Sequence, residues 1–223
     1  MDEFLSENEQ WELFKGWLKE NGPWIVAGVA VGALAIGGWR WWQARTDRID
    51  LAASALYDQA MAAFDADNRG QGLALLDELA HDYRGSPYVD QGNLGAARVF
   101  VESNELDQAA ERLSSVAQKS RDPELATVAR LRLARVEIAM HRPDAALDTL
   151  GAPQSGAFAS LYHEIRGDAY YAKGDKAAAL DEYRVALLAA GPSLAENSVL
   201  KLKIDDLRGE TGSARTAAAA SGK

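Results

Sequence analysis

The residues best suited to catalysis or metal binding are three histidines, and they lie far apart in the chain. His81, His141 and His163 are potential metal ligands or general bases, but none belongs to an HExxH-type pair on one helix. The pair His163-Glu164 is typical of a solvated helix surface. No phosphate-binding loop, dinucleotide fingerprint or GxSxG motif occurs. We therefore expect no enzymatic activity, no cofactor, no metal and no small-molecule substrate.

The composition limits the possible fold classes and the possible kinds of partner. The net charge of -9 disfavours binding to nucleic acid. The absence of cysteine excludes disulfides, thiol catalysis and cysteine-based metal sites, but it does not identify the compartment. Alanine and leucine are abundant, and no segment alternates polar and apolar residues over a strand length. These features predict an all-α protein.

A segment that is uncharged from Pro23 to Trp39 and has Arg40 at its edge predicts a transmembrane helix over residues 23–42, after a leader over 1–22. Twenty residues are enough to cross a lipid bilayer, and a soluble helix would carry a polar face that this segment lacks. The long acidic leader argues against a cleaved signal peptide. Gly28 and Gly32 form a GxxxG pair, which can contact another helix or only lipid. Tryptophans suited to the headgroup layer flank the span: Trp24, Trp39, Trp41 and Trp42.

The charges beside this span give a weak orientation signal. Lys15 and Lys19 precede it, whereas Arg40, Arg45 and Arg48 follow it. The positive-inside rule thus slightly favours a cytoplasmic C-terminal domain. A difference of one charge leaves the topology open.

The remaining chain carries a helix-pair repeat, clearest over residues 164–187. Gly167 and Tyr170 have the G-x-x-Y spacing of the first tetratricopeptide helix, and Ala179 and Tyr183 the A-x-x-x-F spacing of the second, with Tyr in place of Phe. Ala186 supplies the small residue that follows one turn later. Small residues let the helices pack closely while the tyrosine rings fill the adjacent space, and copies must stack to bury their apolar faces.

Further copies are expected at 125–150 and 88–116, with a degenerate, capping copy at 55–79. Their packing residues are Ala97, Ala109, Ala134 and Ala146. Ser86-Pro87 and Asp122-Pro123 are typical helix starts, and Ser193 with Glu196 predicts a capping box for a last helix ending near Leu207. The expected fold is an α-solenoid of three to four helix pairs over 43–208 with a C-terminal capping helix, then a disordered tail over 209–223.

A solenoid of this type presents a groove for protein partners, lined by first-helix residues near each small packing residue. The mixed apolar and charged lining suits a peptide or a helix of a partner. The candidate groove residues are Leu94, Arg98, Val101, Leu131, Arg135, Ile138, Glu164, Asp168 and Tyr171.

The whole layout resembles the YfgM family of ancillary SecYEG translocon subunits. The resemblance rests on the acidic leader with EQWELFKGWLKENG (9–22), the short span ending in GGWRWWQ (37–43), and a repeat domain of this size. It implies a single-pass protein of the bacterial inner membrane with a cytoplasmic N-terminus and periplasmic repeats. It also implies association with SecYEG and with the membrane-tethered chaperone PpiD.

Two other functions remain open from the residues. One is a scaffold or assembly factor for another envelope complex, in division, outer-membrane insertion or cytochrome biogenesis. The other is an enzyme with an unfamiliar site, which would need ionisable groups clustered in a closed pocket. The sequence does not identify clients, contact residues or oligomeric state.

Overall fold

The computed structural model describes residues 7–153, 155–191 and 198–221. Within these ranges the regular structure is helical, with a short 3-10 turn at Gly156–Phe158 and no strand. The described helices are α1 (Glu7–Asp65), α2 (Arg69–Asp82), α3 (Pro87–Glu102), α4 (Leu106–Lys119), α5 (Pro123–Ala139), α6 (Pro143–Leu150), α7 (Ala159–Ala172), α8 (Lys176–Ala190) and α9 (Ser198–Ser221).

The chain divides into two compact units, Met1–Ala55 and Leu56–Lys223, with the boundary inside α1. In the first unit, Val26, Val31 and Leu34 each expose about two thirds or more of their surface. Among the described residues this is the one helix long and apolar enough to cross a membrane, and its apolar window has no buried residue. A helix of a soluble core would bury this surface, so the exposure favours a membrane segment.

The second unit repeats one helix-turn-helix geometry. Asp67, Asn104, His141 and Gly174 all have a positive φ, between 57° and 82°, and each lies two residues before the second helix of a pair. In every case the N–H of this residue donates to the carbonyl three residues back, and the next N–H to the carbonyl five residues back. This is the Schellman ending of a helix. It recurs after 37, 37 and 33 residues.

The turns place small residues at equivalent positions of every pair. Seven residues before each turn residue, the first helices carry buried Ala60, Ala97, Ala134 and Gly167. Five residues after it, the second helices carry buried Gly72, Ala109, Ala146 and Ala179. A Cβ at Gly72 would lie 2.7 Å from the ring of Phe64. The helices therefore cross where side chains are smallest, and the 55–79 copy is a full member of the array.

The array ends in a capping helix, as predicted. Leu200, Ile204 and Leu207 of α9 pack against the buried second-helix residues Ala179, Tyr183 and Ala186. The prediction of an all-α fold with an N-terminal apolar helix, three to four helix pairs and a capping helix is confirmed.

Two helix starts also follow the sequence prediction. The hydroxyl of Ser86 accepts the N–H of Tyr88, and Asp122 Oδ1 accepts the N–H groups of Glu124 and Leu125. The Ser193–Glu196 capping box lies outside the described residues.

The C-terminal segment differs from its prediction. Helix α9 runs to Ser221, so the backbone is helical in much of the segment predicted to be disordered. The alanine run near its end explains the helical backbone, because alanine has the highest helix propensity.

Candidate functional site

Four predicted groove residues lie together around one cavity of about 420 Å³ between α3 and α5. They are Leu94, Arg98, Val101 and Arg135. The other lining residues are Ala97, Glu102, Leu113, Arg132 and Val136. This α3–α5 cavity combines an apolar floor with arginine side chains at its edge.

The predicted groove residues from the middle pair are not all in this cavity. Leu131 is buried in a core cluster with α6 and α7, and Ile138 packs against the same cluster. Both side chains therefore contribute to repeat packing. The repeat pattern of the sequence assigns Leu131 and Ile138 to the groove because it does not show that α5 contacts α7.

The groove residues from the last pair face the capping helix. Nζ of Lys203, on α9, donates to Asp168 at 2.7 and 3.0 Å and to Glu164 at 2.8 Å. The Tyr183 hydroxyl donates to Asp168 Oδ1 at 2.7 Å. Tyr171 lines a smaller cavity of about 190 Å³ beside this cluster, here named the α7–α9 cavity, with Asp168, Tyr183, Lys203, Asp206 and Leu207.

This ionic cluster is mutually satisfied. Burial lowers the pKa of Lys203, but its hydrogen bonds to Asp168 and Glu164 outweigh that effect and raise the pKa above the ordinary lysine value. Burial and the bond to Asp168 raise the pKa of the Tyr183 hydroxyl. Neither group can serve as a base near neutral pH, so the cluster holds α9 in place and lacks the features of a catalytic centre.

The α3–α5 cavity has a different charge balance. Arg98 makes only long ion pairs, at 3.9 Å to Asp65 and 3.7 Å to Glu102. The exposed side chains of Arg132 and Arg135 form no hydrogen bond or ion pair with the part of the chain that the structure describes. In a chain with a net charge of -9, this local excess of cations can attract an acidic partner.

The predicted repeat-packing residues occupy the contacts between helices. Ala97, Ala109, Ala134, Ala146, Gly167, Ala179, Tyr183 and Ala186 are buried. Tyr170 is half-buried and accepts a hydrogen bond from Arg166. At the position equivalent to Tyr170 and Phe100, α5 carries Glu137. Burial raises its pKa, and one of its carboxylate oxygens has no hydrogen-bond partner among the described residues.

The histidines do not form a functional site. His163 Nδ1 lies 2.7 Å from Glu182 Oε2, and both side chains are less than a fifth exposed. The interpretation of His163 as a solvated surface residue is therefore wrong, because α8 covers it. Among the residues that the structure describes, no three or more His, Asp or Glu side chains lie together as potential metal ligands.

The residues of the apolar helix are open along its length. Trp24, Trp39, Trp41 and Trp42 are exposed, and the rings of Trp39 and Trp42 lie 5.6 Å apart. A Cβ at Gly28 or at Gly32 would meet no atom within 4 Å. Both glycines thus leave backbone accessible to lipid or to another helix.

Sequence reasoning missed three features of these surfaces. Arg132 and Lys203 were not among the candidates, although the spacing of Lys203, Asp206 and Leu207 repeats that of Arg132, Arg135 and Val136. The third is an aromatic stripe before the span, in which Trp11, Phe14 and Trp17 stack at 5.8 and 6.4 Å. Their i, i+3, i+6 spacing was the available signal.

Known proteins that resemble this chain belong to one family. A family model described as a tetratricopeptide repeat-like domain matches residues 15–209. The chain is 31% identical over 208 residues to the ancillary SecYEG translocon subunit of Escherichia coli strain K12, covering 93% of this chain and 99% of that protein. It is 28% identical over 205 residues to the protein of the same name from Neisseria gonorrhoeae, covering 92% and 98%. The relative from Haemophilus influenzae is 27% identical over 203 residues, covering 91% and 98%.

These relatives are named as accessory subunits and share a protein-interaction fold, in agreement with the expectation that the chain is not an enzyme. The apolar helix and the translocon-associated relatives together indicate a membrane-anchored protein. Since the matches run through both the anchor and the repeats, the chain belongs to the tetratricopeptide repeat-like family of ancillary SecYEG translocon subunits.

Proposed function

We propose that this protein is an accessory subunit of the SecYEG translocon that links protein export to chaperones beyond the membrane. The observation that supports this most is the match over 93% of the chain to a relative of that name, because it includes the anchor as well as the repeats. A shared repeat domain alone would suggest only protein binding.

The proposed topology places the N-terminus in the cytoplasm and the repeats in the periplasm. The flanking charges favour the opposite orientation by one charge, since two lysines (Lys15 and Lys19) precede the uncharged segment and three arginines (Arg40, Arg45 and Arg48) follow it. Long domains, however, translocate with little regard to flanking charge. The resemblance of the leader and the span to the YfgM family therefore outweighs this weak asymmetry.

The absence of cysteine permits a direct test of this topology. A cysteine introduced at Leu188, which is 83% exposed in the repeat domain, should react with a membrane-impermeant maleimide in intact spheroplasts. A cysteine at exposed Glu12 should react only after lysis. The reverse labelling pattern would refute the proposed orientation.

The proposed partners are SecYEG itself and the membrane-tethered chaperone PpiD, to which the repeats would pass newly exported proteins. The test is purification of the tagged full-length protein in a mild detergent, with identification of every co-purifying protein by mass spectrometry. Recovery of SecYEG and PpiD, with PpiD lost on deletion of residues 56–223, supports the proposal. Recovery of a division, outer-membrane or cytochrome-assembly complex without any translocon subunit would replace it with the scaffold function.

A further inference from the structure

The α3–α5 and α7–α9 cavities are lined from equivalent positions of the repeat. Arg98 and Asp168 each lie six residues before their turn residue, and Val101 and Tyr171 three residues before it. The helix that follows each pair (the third helix of that site) lines the cavity with three residues at the same spacing. On α5 these are Arg132, Arg135 and Val136, and on α9 they are Lys203, Asp206 and Leu207. The two cavities can therefore be compared position by position.

In the α7–α9 cavity, the chain supplies its own acidic partner. Lys203 is bound by Asp168 and Glu164 of α7, at 2.7 to 3.0 Å. An in-chain carboxylate thus neutralises the cation that the third helix contributes. Only about 190 Å³ remains open there.

In the α3–α5 cavity the equivalents of these two acids are Arg98 and Leu94. Arg132, the counterpart of Lys203, forms no ion pair with the described chain. Glu102, which also lines the cavity, lies 3.7 Å from Arg98. The open volume is about 420 Å³, and Leu94, Val101, Leu113 and Val136 give it an apolar floor. The cavity is thus lined by three arginines and one acid, Glu102, and that acid pairs with Arg98 rather than with Arg132 or Arg135.

The intervening position, between α5 and α7, offers no such opening. There the counterparts of Arg132 and Val136 are Ile165 and Ala169, which are fully buried in the core. A cationic, apolar opening on the first-helix face is thus confined, among these three sites, to the α3–α5 cavity.

We propose that the α3–α5 cavity binds a segment of a partner protein in which a carboxylate lies next to an apolar side chain. The carboxylate takes the place that Asp168 has beside Lys203 and pairs with Arg132 and Arg135, since guanidinium groups bind carboxylates through paired hydrogen bonds. The apolar side chain covers the floor of the cavity. This proposal rests on the proposed function only in assuming that the repeats bind proteins.

The test uses the full-length protein in lipid nanodiscs and a phage-displayed library of random 12-residue peptides. Peptides that bind the wild type should be enriched in Asp or Glu next to Leu, Ile, Val or Phe. The best peptide should lose at least tenfold in affinity when its acid is replaced by the amide, and should bind more weakly at higher salt.

Matched variants locate the site. Arg132→Gln combined with Arg135→Gln should lower the affinity at least tenfold. Arg130→Gln removes one positive charge from the same helix but changes a side chain already bonded to Ala126 and Thr127, so binding should persist. Arg98→Asp places a carboxylate at the position of Asp168 and should also abolish binding, by occupying Arg132 from within the chain.

Enrichment of neutral or basic peptides, or unchanged affinity in the Arg132→Gln, Arg135→Gln variant, would overturn the proposal. So would the absence of any enriched peptide. Thermal unfolding of each variant checks that the repeats remain folded. The outcome is independent of the co-purification experiment, because loss of SecYEG there would leave the peptide preference of the cavity unaffected.

Discussion

Replacing Gly167 with alanine should destabilise the repeat domain, although alanine is the better helix former. A Cβ at this position would lie 2.5 Å from two carbons of the Tyr183 ring. The ring cannot withdraw freely, because its hydroxyl is bonded to Asp168 at 2.7 Å and its face packs in the core between α8 and α9. Overpacking of this kind costs roughly 1–3 kcal/mol, whereas Gly to Ala in a helix gains about 1 kcal/mol.

Given how far 2.5 Å is below an ordinary contact, the expected net loss is about 1–2 kcal/mol. For a domain of this size that corresponds to a fall in Tm of roughly 2–8 °C. The assay is differential scanning calorimetry of the full-length protein in a mild detergent. Gly70→Ala is the matched control, because no atom lies within 4 Å of the added carbon, and it should leave Tm unchanged or higher.

A second substitution tests the cause of the loss. In a Tyr183→Leu background the ring is absent, so the added cost of Gly167→Ala should fall to zero or become a gain. The difference between the two backgrounds measures the coupling between positions 167 and 183. If Gly167→Ala were as stable as Gly70→Ala in the wild-type background, the close approach of α7 and α8 would not limit stability, and the packing argument would fail.

Three further changes test other contacts by the same calorimetry. Lys203→Met should lower the free energy of unfolding by about 1–3 kcal/mol at neutral pH, because Asp168 and Glu164 lose their cation. Because the pKa of Lys203 is raised in the folded protein, the stability difference between wild type and variant should shrink as the pH rises above 10.5. Glu137→Gln should add up to about 1 kcal/mol at neutral pH. Since burial raises the pKa of Glu137, the gain should decline as the pH falls and vanish below 4.5; a constant gain would contradict this. His141→Gly should add up to about 1 kcal/mol by relieving a positive φ of 58°, and a loss would contradict it.

The pairing of helices was predictable because its signals are local. Gly167, Tyr170, Ala179 and Tyr183 fall within one short segment, and each residue type follows from the space available between two neighbouring helices. The first pair precedes the second by 37 residues, as the second precedes the third, rather than by the 34 expected of the repeat.

Contacts between distant segments were not predictable in the same way. Lys203 reaches Glu164 across 39 residues, and neither residue's neighbours indicate this pairing. The burial of Glu137 was not predictable either. Two other repeats have an aromatic residue at this position, but a single acidic residue in a helix of mixed polarity is typical of a solvated surface. The burial of its carboxylate, near Thr149 of α6 and Arg142 just before that helix, becomes apparent only in three dimensions.

The capping helix and the interior helix pairs differ in how their charged groups are neutralised, and this difference distinguishes the cap from the candidate binding site. In helix α9 the polar group of Lys203 is satisfied by the preceding pair, through Asp168 and Glu164. In the α3–α5 cavity, Arg98 pairs with Asp65 and Glu102, but Arg132 and Arg135 form no hydrogen bond or ion pair with the described chain. An acid from outside the chain can pair with these two arginines, so Arg132 and Arg135, rather than the satisfied cluster at the cap, indicate where a partner binds.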